Sequence, residues 1–250
     1  MLVLVACWFV TAYAYGLAWI CAFGTKFHLA KKYQTYIKME AKFSKIYDKN
    51  IWGGSGSGSH LSADNKIYLR SIEELVLHNK INTILDVGCG DWEIMKHLNF
   101  DGKYLGVDIV KSVIDKNKDK YETDNKKFKH QNVLDGIEEE YDLIIIKDVI
   151  QHLDDETILK VMENLLNKGR MVYCVNGYKF GRSPEKNDWQ TRSISNRYSY
   201  HPVSSEKEPL LRYQEFITTK YKRRCKEYVL FRKIKSTEQV NGTSVFGEHN

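Results

Sequence analysis

The 250-residue chain is 42% apolar, 28% charged and 12% aromatic, with only 3 Pro, a mixture that excludes disorder, collagen and low-complexity repeats. Its formal charge of +6 is uneven: residues 25–49 carry +5, residues 218–235 carry +7, and the remainder sums to −6. A nucleic-acid binder presents basic residues across the face that carries its chemistry, so an acidic central body argues against that class. The cysteines at 7, 21, 89, 174 and 225 are odd in number and form no CxxC pair, which supports neither a disulfide framework nor a zinc ribbon.

Residues 1–24 (MLVLVACWFVTAYAYGLAWICAFG) hold no charge, and as a helix they would span the ~30 Å core of a bilayer. A single-pass transmembrane anchor is therefore expected. Lys26, Lys31 and Lys32 follow the apolar run at once, and the positive-inside tendency then leaves the body of the chain in the cytoplasm. Two alternatives stay open: a cleaved signal, for which Ala12-Tyr13-Ala14 offers small residues although no basic residue precedes the run, and a start-site extension of a soluble protein. Residues 25–50, rich in Lys and Tyr, suit a basic juxtamembrane helix lying against headgroups, and equally an ordinary solvated helix.

A catalytic-sized domain over 51–235 and a loose tail over 236–250 complete the expected organisation. Ser62-Ala63-Asp64 offers N-cap residues for a helix running to about His78, with Tyr68, Ile72, Leu75 and Val76 at helical spacing. INTILDV (81–87) and KYLGVD (103–108) each read as a buried strand ending in an acid, the second followed by a helical KSVIDKNKDKYE. A weaker strand is expected over 128–133, and YDLIIIK (141–147) has the β-branched run of a central parallel strand. Asp154, Asp155 and Glu156 favour a helix start, Ile158, Met162, Leu165 and Leu166 form its inner stripe, Gly169 stops it, and 170–175 supplies a fifth strand. Residues 176–212 read as a long loop over the strand ends, and 213–235 as two strands joined near Lys222–Cys225. The fold class is therefore α/β: a Rossmann-like, doubly wound, mostly parallel sheet with an antiparallel C-terminal hairpin, its ligands at the carboxyl ends of the strands.

Asp86-Val87-Gly88-Cys89-Gly90-Asp91-Trp92 lies between a predicted strand and a predicted helix, and Asp108 closes the next strand 22 residues after Asp86. Gly88 and Gly90 let the backbone approach a ligand, while an acid at the end of the second strand is placed to accept both hydrogen bonds of a ribose diol. A dinucleotide site would want a third glycine; Asp91 and Glu93 flanking Trp92 would repel a pyrophosphate, and a cationic, phosphate-free nucleoside suits them.

On these residues the chain resembles the class I S-adenosylmethionine-dependent methyltransferases. DVGCGDW looks like their first motif, which implies that Asp86, Gly88, Gly90 and Asp91 lie near the methionine part of S-adenosylmethionine. Asp108 with Ile109 matches the ribose position, Asn132-Val133 falls where adenine is held, and Lys147 closes the strand that matches their fourth. Trp92 departs from the pattern, since many members have a third glycine there. Trp52-Gly53-Gly54-Ser55-Gly56-Ser57-Gly58-Ser59 before the first helix, together with GCGDW, resembles a branch of small methyltransferases found in bacteria and large DNA viruses. That likeness implies that Trp52 and Ser59 join the cofactor site, Ser59 meeting the cofactor carboxylate; a flexible linker is the competing reading.

Methyl transfer requires in-line alignment of the acceptor and, for a hydroxyl, removal of a proton. If KDVIQHL (147–153) is helical, Asp148 and His152 share a face, so that the carboxylate orients the imidazole. His152 resembles the histidine base of some sugar O-methyltransferases, with a packing or capping role as the alternative. No third ligand accompanies the pair, so no metal is expected. Tyr198, Tyr200 and His201 are weaker candidates for an acceptor pocket. The leading expectation is a membrane-tethered O-methyltransferase acting on a small-molecule or glycan hydroxyl; the rivals are an RNA cap or tRNA methyltransferase using 218–235, and a non-catalytic membrane adaptor of the same fold.

Overall fold

The computed structural model describes residues 39–51, 55, 60–178 and 202–233. The chain divides into two units, Met1–Ile51 and Trp52–Asn250. In the first, residues 39–48 are helical. Among the described residues no helix is long and apolar enough to cross a membrane, and the apolar run 1–24 lies outside them.

The second unit is a seven-stranded sheet in the order β3-β2-β1-β4-β5-β7-β6. Its strands are β1 (Thr83–Val87), β2 (Lys103–Asp108), β3 (Lys126–His130), β4 (Tyr141–Lys147), β5 (Gly169–Gly177), β6 (Ile217–Arg223) and β7 (Lys226–Arg232). The first five run parallel, and β7 inserts antiparallel between β5 and β6. Because the order reverses at β1, where β2 lies on one side and β4 on the other, the crevice at the carboxyl ends of β1 and β4 is the topological switch point where such sheets place ligands.

Among the described residues, three α-helices accompany the sheet: α1 (Ala63–Asn79), α2 (Lys111–Tyr121) and α3 (Asp155–Lys168). Ser62 caps α1 by accepting from Asn65 N–H at 3.2 Å, and Asp154 caps α3 by accepting from Thr157 N–H at 2.8 Å, as side-chain oxygens do at helix starts. The stripe Ile158, Met162, Leu165 and Leu166 is buried as its spacing requires. Leu143 and Ile145 join a core with Tyr68, Ile72, Trp92 and Tyr173, and the alternate residues Ile144 and Ile146 are fully buried on the opposite face. A central strand covered on both faces explains the unbroken apolar run of β4.

The third strand sits two residues earlier than its expected start, since only Phe128 of KKFKH is buried and the pairing with β2, rather than apolarity, defines it. β5 runs on to Gly177, into the stretch read as loop, because β7 pairs with it along its whole second half. The larger correction concerns the connection from β1 to β2. No α-helix follows the glycine turn; a single 3₁₀ turn, Met95–His97, takes its place.

An aromatic cluster fills that missing helix's space. Trp92, 6% exposed, packs its ring against Tyr104, Tyr121 and Phe128 at centroid distances of 5.6, 4.9 and 5.3 Å. The packing holds Trp92 at a left-handed φ of 59°. Such a conformation costs a non-glycine residue roughly 1–2 kcal/mol, whereas truncating a buried Trp costs about 3–5 kcal/mol. Packing therefore outweighs strain, and Trp92→Gly, although it restores a glycine that many members carry, is expected to destabilise the domain by about 2–4 kcal/mol, read as a lowered midpoint in urea unfolding.

Candidate functional site

The turn after β1 is built by two glycines and fastened from three directions. Gly88 and Cys89 donate their N–H groups to the Val107 carbonyl at 2.8 and 3.1 Å, which ties the turn to β2. Gly88 has a φ of 74°, and a Cβ there would stand 2.3 Å from Val149 Cγ2, so glycine is required both by conformation and by the close approach of the turn after β4. Gly90, at φ 54°, donates its N–H to Asp108 Oδ2 at 3.0 Å and receives Asn117 Nδ2 of α2 on its carbonyl at 2.7 Å. Asn117, 2% exposed, thereby satisfies a carbonyl that no following α-helix can use.

Asp108 is a buried carboxylate that accepts Gly90 N–H on one oxygen and Val110 N–H, at 2.9 Å, on the other. Burial raises its pKa, partly offset by the N–H groups of Val110 and Gly90. Each carboxylate oxygen has two lone pairs, so acceptor capacity for the two hydroxyls of a ribose remains on Asp108. The adjoining Ile109 carbonyl is bonded to His130 Nε2 at 2.9 Å, which joins the ends of β2 and β3.

Asp86 is 4% exposed and accepts the Tyr104 hydroxyl at 2.5 Å. Burial pushes its carboxyl up to about 6; the Tyr104 hydroxyl and the Lys147 ammonium pull it down, and Asp108 adds to the rise. Two acids beside one turn that no α-helix follows make a pocket suited to a cation and unsuited to a pyrophosphate.

Asp91 meets the glycine-rich stretch. Its N–H donates to Ser55 Oγ at 2.8 Å, and Ser55 N–H donates to Asp91 Oδ2 at 2.9 Å. This reciprocal pair fixes residue 55 against the turn 36 residues further along. Trp52 and Ser59 lie outside the described residues, as do Tyr198, Tyr200 and His201.

At the end of β3, Asn132 is buried and caps a short 3₁₀ turn by accepting Leu134 N–H at 3.0 Å, while the Val133 carbonyl receives Asn164 Nδ2 at 2.8 Å. At the end of β4, Lys147 Nζ pairs with Asp148 Oδ2 at 2.8 Å and lies 5.6 Å over the Tyr68 ring. The described candidates at Asp86, Gly88, Gly90, Asp91, Asp108, Ile109, Asn132, Val133, Lys147, Asp148 and His152 therefore stand at the carboxyl ends of four adjacent strands.

The helical pairing of Asp148 with His152 does not form. Asp148 has φ 60°, and only Ile150–His152 turns, as 3₁₀. The Asp148 oxygens go instead to the ammonium groups of Lys147 and Lys226. Although burial opposes it, these two cations hold the Asp148 carboxyl far below the usual carboxylate range. His152 is half-buried and donates its backbone N–H to the Val149 carbonyl, while its neighbour Gln151 accepts Gly177 N–H at 2.7 Å and ties the turn to β5.

Tyr104, Asn117 and Lys226 were not legible as site residues, because each reaches the turns from another strand or helix. Among the described residues no group of acids, histidines and cysteines has the arrangement of a metal site.

A methyltransferase-domain model matches residues 78–213. No protein of curated function matches the sequence significantly. Among solved structures, magnesium protoporphyrin IX methyltransferase from Synechocystis PCC 6803 with bound S-adenosylhomocysteine superposes with a TM-score of 0.54 at 15% identity, over 81% of this chain and 100% of that one. The methyltransferase domain of a bacterial protein, CtHen1, gives 0.51 at 15% identity over 68% and 99% of the two chains. The N-methyltransferase NodS from Bradyrhizobium japonicum WM9 gives 0.51 at 13% identity over 68% and 96%. At these identities the likeness is one of fold.

The raised pKa of Asp86 gives a pH test with a definite sign. Between pH ~4 and 6 the unfolded chain loses this proton and the folded chain keeps it, so Asp86 lowers stability as pH rises and the penalty is complete above about 6. A cation bound beside it requires the ionised form. Affinity for S-adenosylmethionine is expected to fall as pH drops through about 6, approaching tenfold per pH unit below it, whereas Asp86→Asn is expected to bind weakly with no such dependence and to unfold later than the parent when ligand-free at pH 8. Calorimetric titration between pH 5 and 8 checks the affinity, and thermal unfolding checks the stability.

Proposed function

We propose, from the premise that this chain belongs to the methyltransferase-domain family, that its S-adenosylmethionine-dependent reaction is an O-methylation, with a hydroxyl of a sugar in a glycan as the acceptor. The observation that carries the donor's identity is the pair of buried acids, Asp86 and Asp108, around a glycine turn with no α-helix behind it. Asp108 has the acceptor capacity for a ribose diol, and Asp86 supplies negative charge where the methionine part of a sulfonium nucleoside belongs. The residues present fit that cofactor and do not fit a dinucleotide.

S-adenosylmethionine supplies an already activated methyl group, so the chain's own work is alignment and proton removal. Asp86, Asp108, Asn132 and the Gly88–Gly90 turn hold the donor. His152, in the turn beyond β4, takes the proton of the acceptor hydroxyl on its imidazole. Asp148 takes no part as its orienting acid, because both of its oxygens are engaged by lysines.

The sugar acceptor rests on the likeness of Trp52–Ser59 plus GCGDW to the bacterial and viral branch. The Ser55–Asp91 pair supports including that stretch in the cofactor site, since a mere linker has no need of two hydrogen bonds to the motif. The proposal also includes a single-pass anchor at residues 1–24 with the catalytic domain in the cytoplasm, supported by the uncharged run and the lysines after it. No observation favours the RNA alternative: in the basic segment, Lys220 and Lys222 pair with Glu206, Arg223 and Arg224 with Asp64, and Lys226 with Asp148.

His152→Ala is expected to cut turnover by ~10²–10⁴ while leaving cofactor affinity unchanged, measured with labelled methyl donor and candidate sugars; an active variant removes the base assignment. Replacing Gly56 and Gly58 together by Ala is expected to weaken S-adenosylmethionine binding about tenfold or more, a loss of ~1.4 kcal/mol. Unchanged affinity would return the stretch to a linker.

A further inference from the structure

Polar groups around the carboxyl end of β5 account for one another almost completely. Gly177 N–H donates to Gln151 Oε1 at 2.7 Å, and the Gly177 carbonyl receives Val203 N–H at 2.8 Å. Glu227, the register partner of Asn176 on β7, accepts Ser205 N–H at 2.6 Å and the hydroxyls of Ser205 and Ser204 at 3.1 and 3.4 Å, with Lys222 Nζ 3.8 Å away. Asp148 is held by Lys147 and Lys226, and Lys147 also acts on Asp86. The charged groups are engaged with one another, and what is left over is neutral.

Two carboxamides are each only half used. Asn176, 3% exposed, donates Nδ2 to Cys174 Sγ at 2.9 Å, while its Oδ1 is buried without a partner. Gln151, 6% exposed, uses Oε1 on Gly177 N–H, and among the described residues its Nε2 makes no hydrogen bond. The two flank the same residue, Gln151 through its bond to Gly177 and Asn176 as the residue before it. Side chains alternate along a strand, so with Tyr173 and Val175 in the core shared with α1, Asn176 and Cys174 face the other side of the sheet. Buried amide groups without partners lower stability, and a native protein that keeps them has a use for them.

Their chemistry defines what fits. Asn176 Oδ1 accepts and Gln151 Nε2 donates. A hydroxyl both donates and accepts, whereas a carboxylate only accepts and an ammonium only donates. Cofactor held over β2 and β1 leaves the acceptor to approach over β4 and β5, and His152, the base of the proposed reaction, directly follows Gln151. We infer that Asn176 and Gln151 receive a hydroxyl of the acceptor other than the one methylated, so that the acceptor is a neutral compound with at least two hydroxyls, as a pyranose is. The inference rests on the O-methyltransferase reading and deepens it: His152 meets the reacting hydroxyl, while the two carboxamides hold the ring by another. Asn176 is then an acceptor-specificity residue.

The test uses the full chain loaded with S-adenosylhomocysteine, with the side-chain amide signals of Asn176 and Gln151 followed by NMR during titration with methyl pyranosides of neutral hexoses and 6-deoxyhexoses. A saturable shift of both amides is expected with at least one glycoside and none with its fully O-methylated counterpart, which has no hydroxyl to donate. Asn176→Leu is expected to weaken that binding roughly three- to tenfold, the worth of one neutral hydrogen bond, while its ligand-free urea midpoint is no lower than the parent's, because an apolar side chain of similar shape leaves no amide unpaired. A purely structural Asn176 gives the opposite split, a lower midpoint with unchanged glycoside affinity, and that result overturns the inference. So does a pair of amides that show contact with a bound water and that no glycoside moves. Should Asn176→Leu not fold, Asn176→Ala takes its place in the affinity measurement. Calorimetric binding of S-adenosylhomocysteine, measured first, is the separate readout of the methyltransferase reading: its loss overturns that reading, whereas intact cofactor binding without a glycoside response overturns only the hydroxyl site.

Discussion

The carboxylate of Asp108 is the constraint on which the site depends. It accepts Gly90 N–H from the turn after β1 and Val110 N–H from the start of α2, so that one buried group binds together the two loops that would embrace a nucleoside. A charged group this enclosed is stable only because its oxygens are hydrogen-bonded, and the bonds come from backbone that must therefore keep its shape. Gly88 and Gly90 adopt left-handed conformations to meet it, Asn117 satisfies the outward carbonyl, and Ser55 closes on Asp91 from the other side. The turn is consequently fixed before any ligand arrives, which lowers the ordering cost of binding.

The connection from β1 to β2 departs from the common βαβ plan, and that departure bears on chemistry. An α-helix starting at Gly90 would aim partial positive charge and free N–H groups into the crevice, as a phosphate requires. Here the chain spends those residues on an aromatic cluster around Trp92 and on Glu93, whose carboxyl is pulled down to about 2 by hydrogen bonds from Lys96 and Tyr121. The turn after β1 therefore brings no helix dipole to the crevice, where Asp86 and Asp108 supply the negative charge. The loss of one helix and the choice of a cationic donor are two consequences of the same twelve or so residues.

Local patterns made much of this visible beforehand. The β-branched run of β4, the acid closing β2, the apolar stripe of α3 and the hairpin of β6 and β7 depend on residues close in sequence, and each appears within a few positions of its expected place. The missing helix was not legible, because a strand followed by Gly-Cys-Gly-Asp normally opens one; only the packing of Trp92 on Tyr104, Tyr121 and Phe128 decides otherwise, and those partners arrive from β2, α2 and β3. The same holds for Asp148. Its spacing from His152 invited a helical pair, but a left-handed residue at the strand end and a lysine 78 positions later take its carboxylate elsewhere. Residues of the glycine turn were readable because the motif that positions them is contiguous, whereas Asp148 and Lys226 meet from the ends of β4 and β7.

That difference has a physical basis in how the rim divides its labour. A sulfonium nucleoside is the same molecule in every enzyme that uses it, so one turn and one acid suffice and can sit within a short stretch of chain. An acceptor differs from enzyme to enzyme, and the far end of the rim is correspondingly assembled from distant parts of the chain: β7 threads between β5 and β6 and delivers Lys226 beside Gly177. Buried Glu227 accepts Ser205 N–H at 2.6 Å, anchoring to the same strand the residues that follow the segment 179–201. The partly buried cations of the hairpin are balanced by Asp148, Asp64 and Glu206, and Lys147, which pairs with Asp148, also pulls down the Asp86 carboxyl, so the charges over β4 and β7 are coupled to the cofactor crevice through one ammonium group.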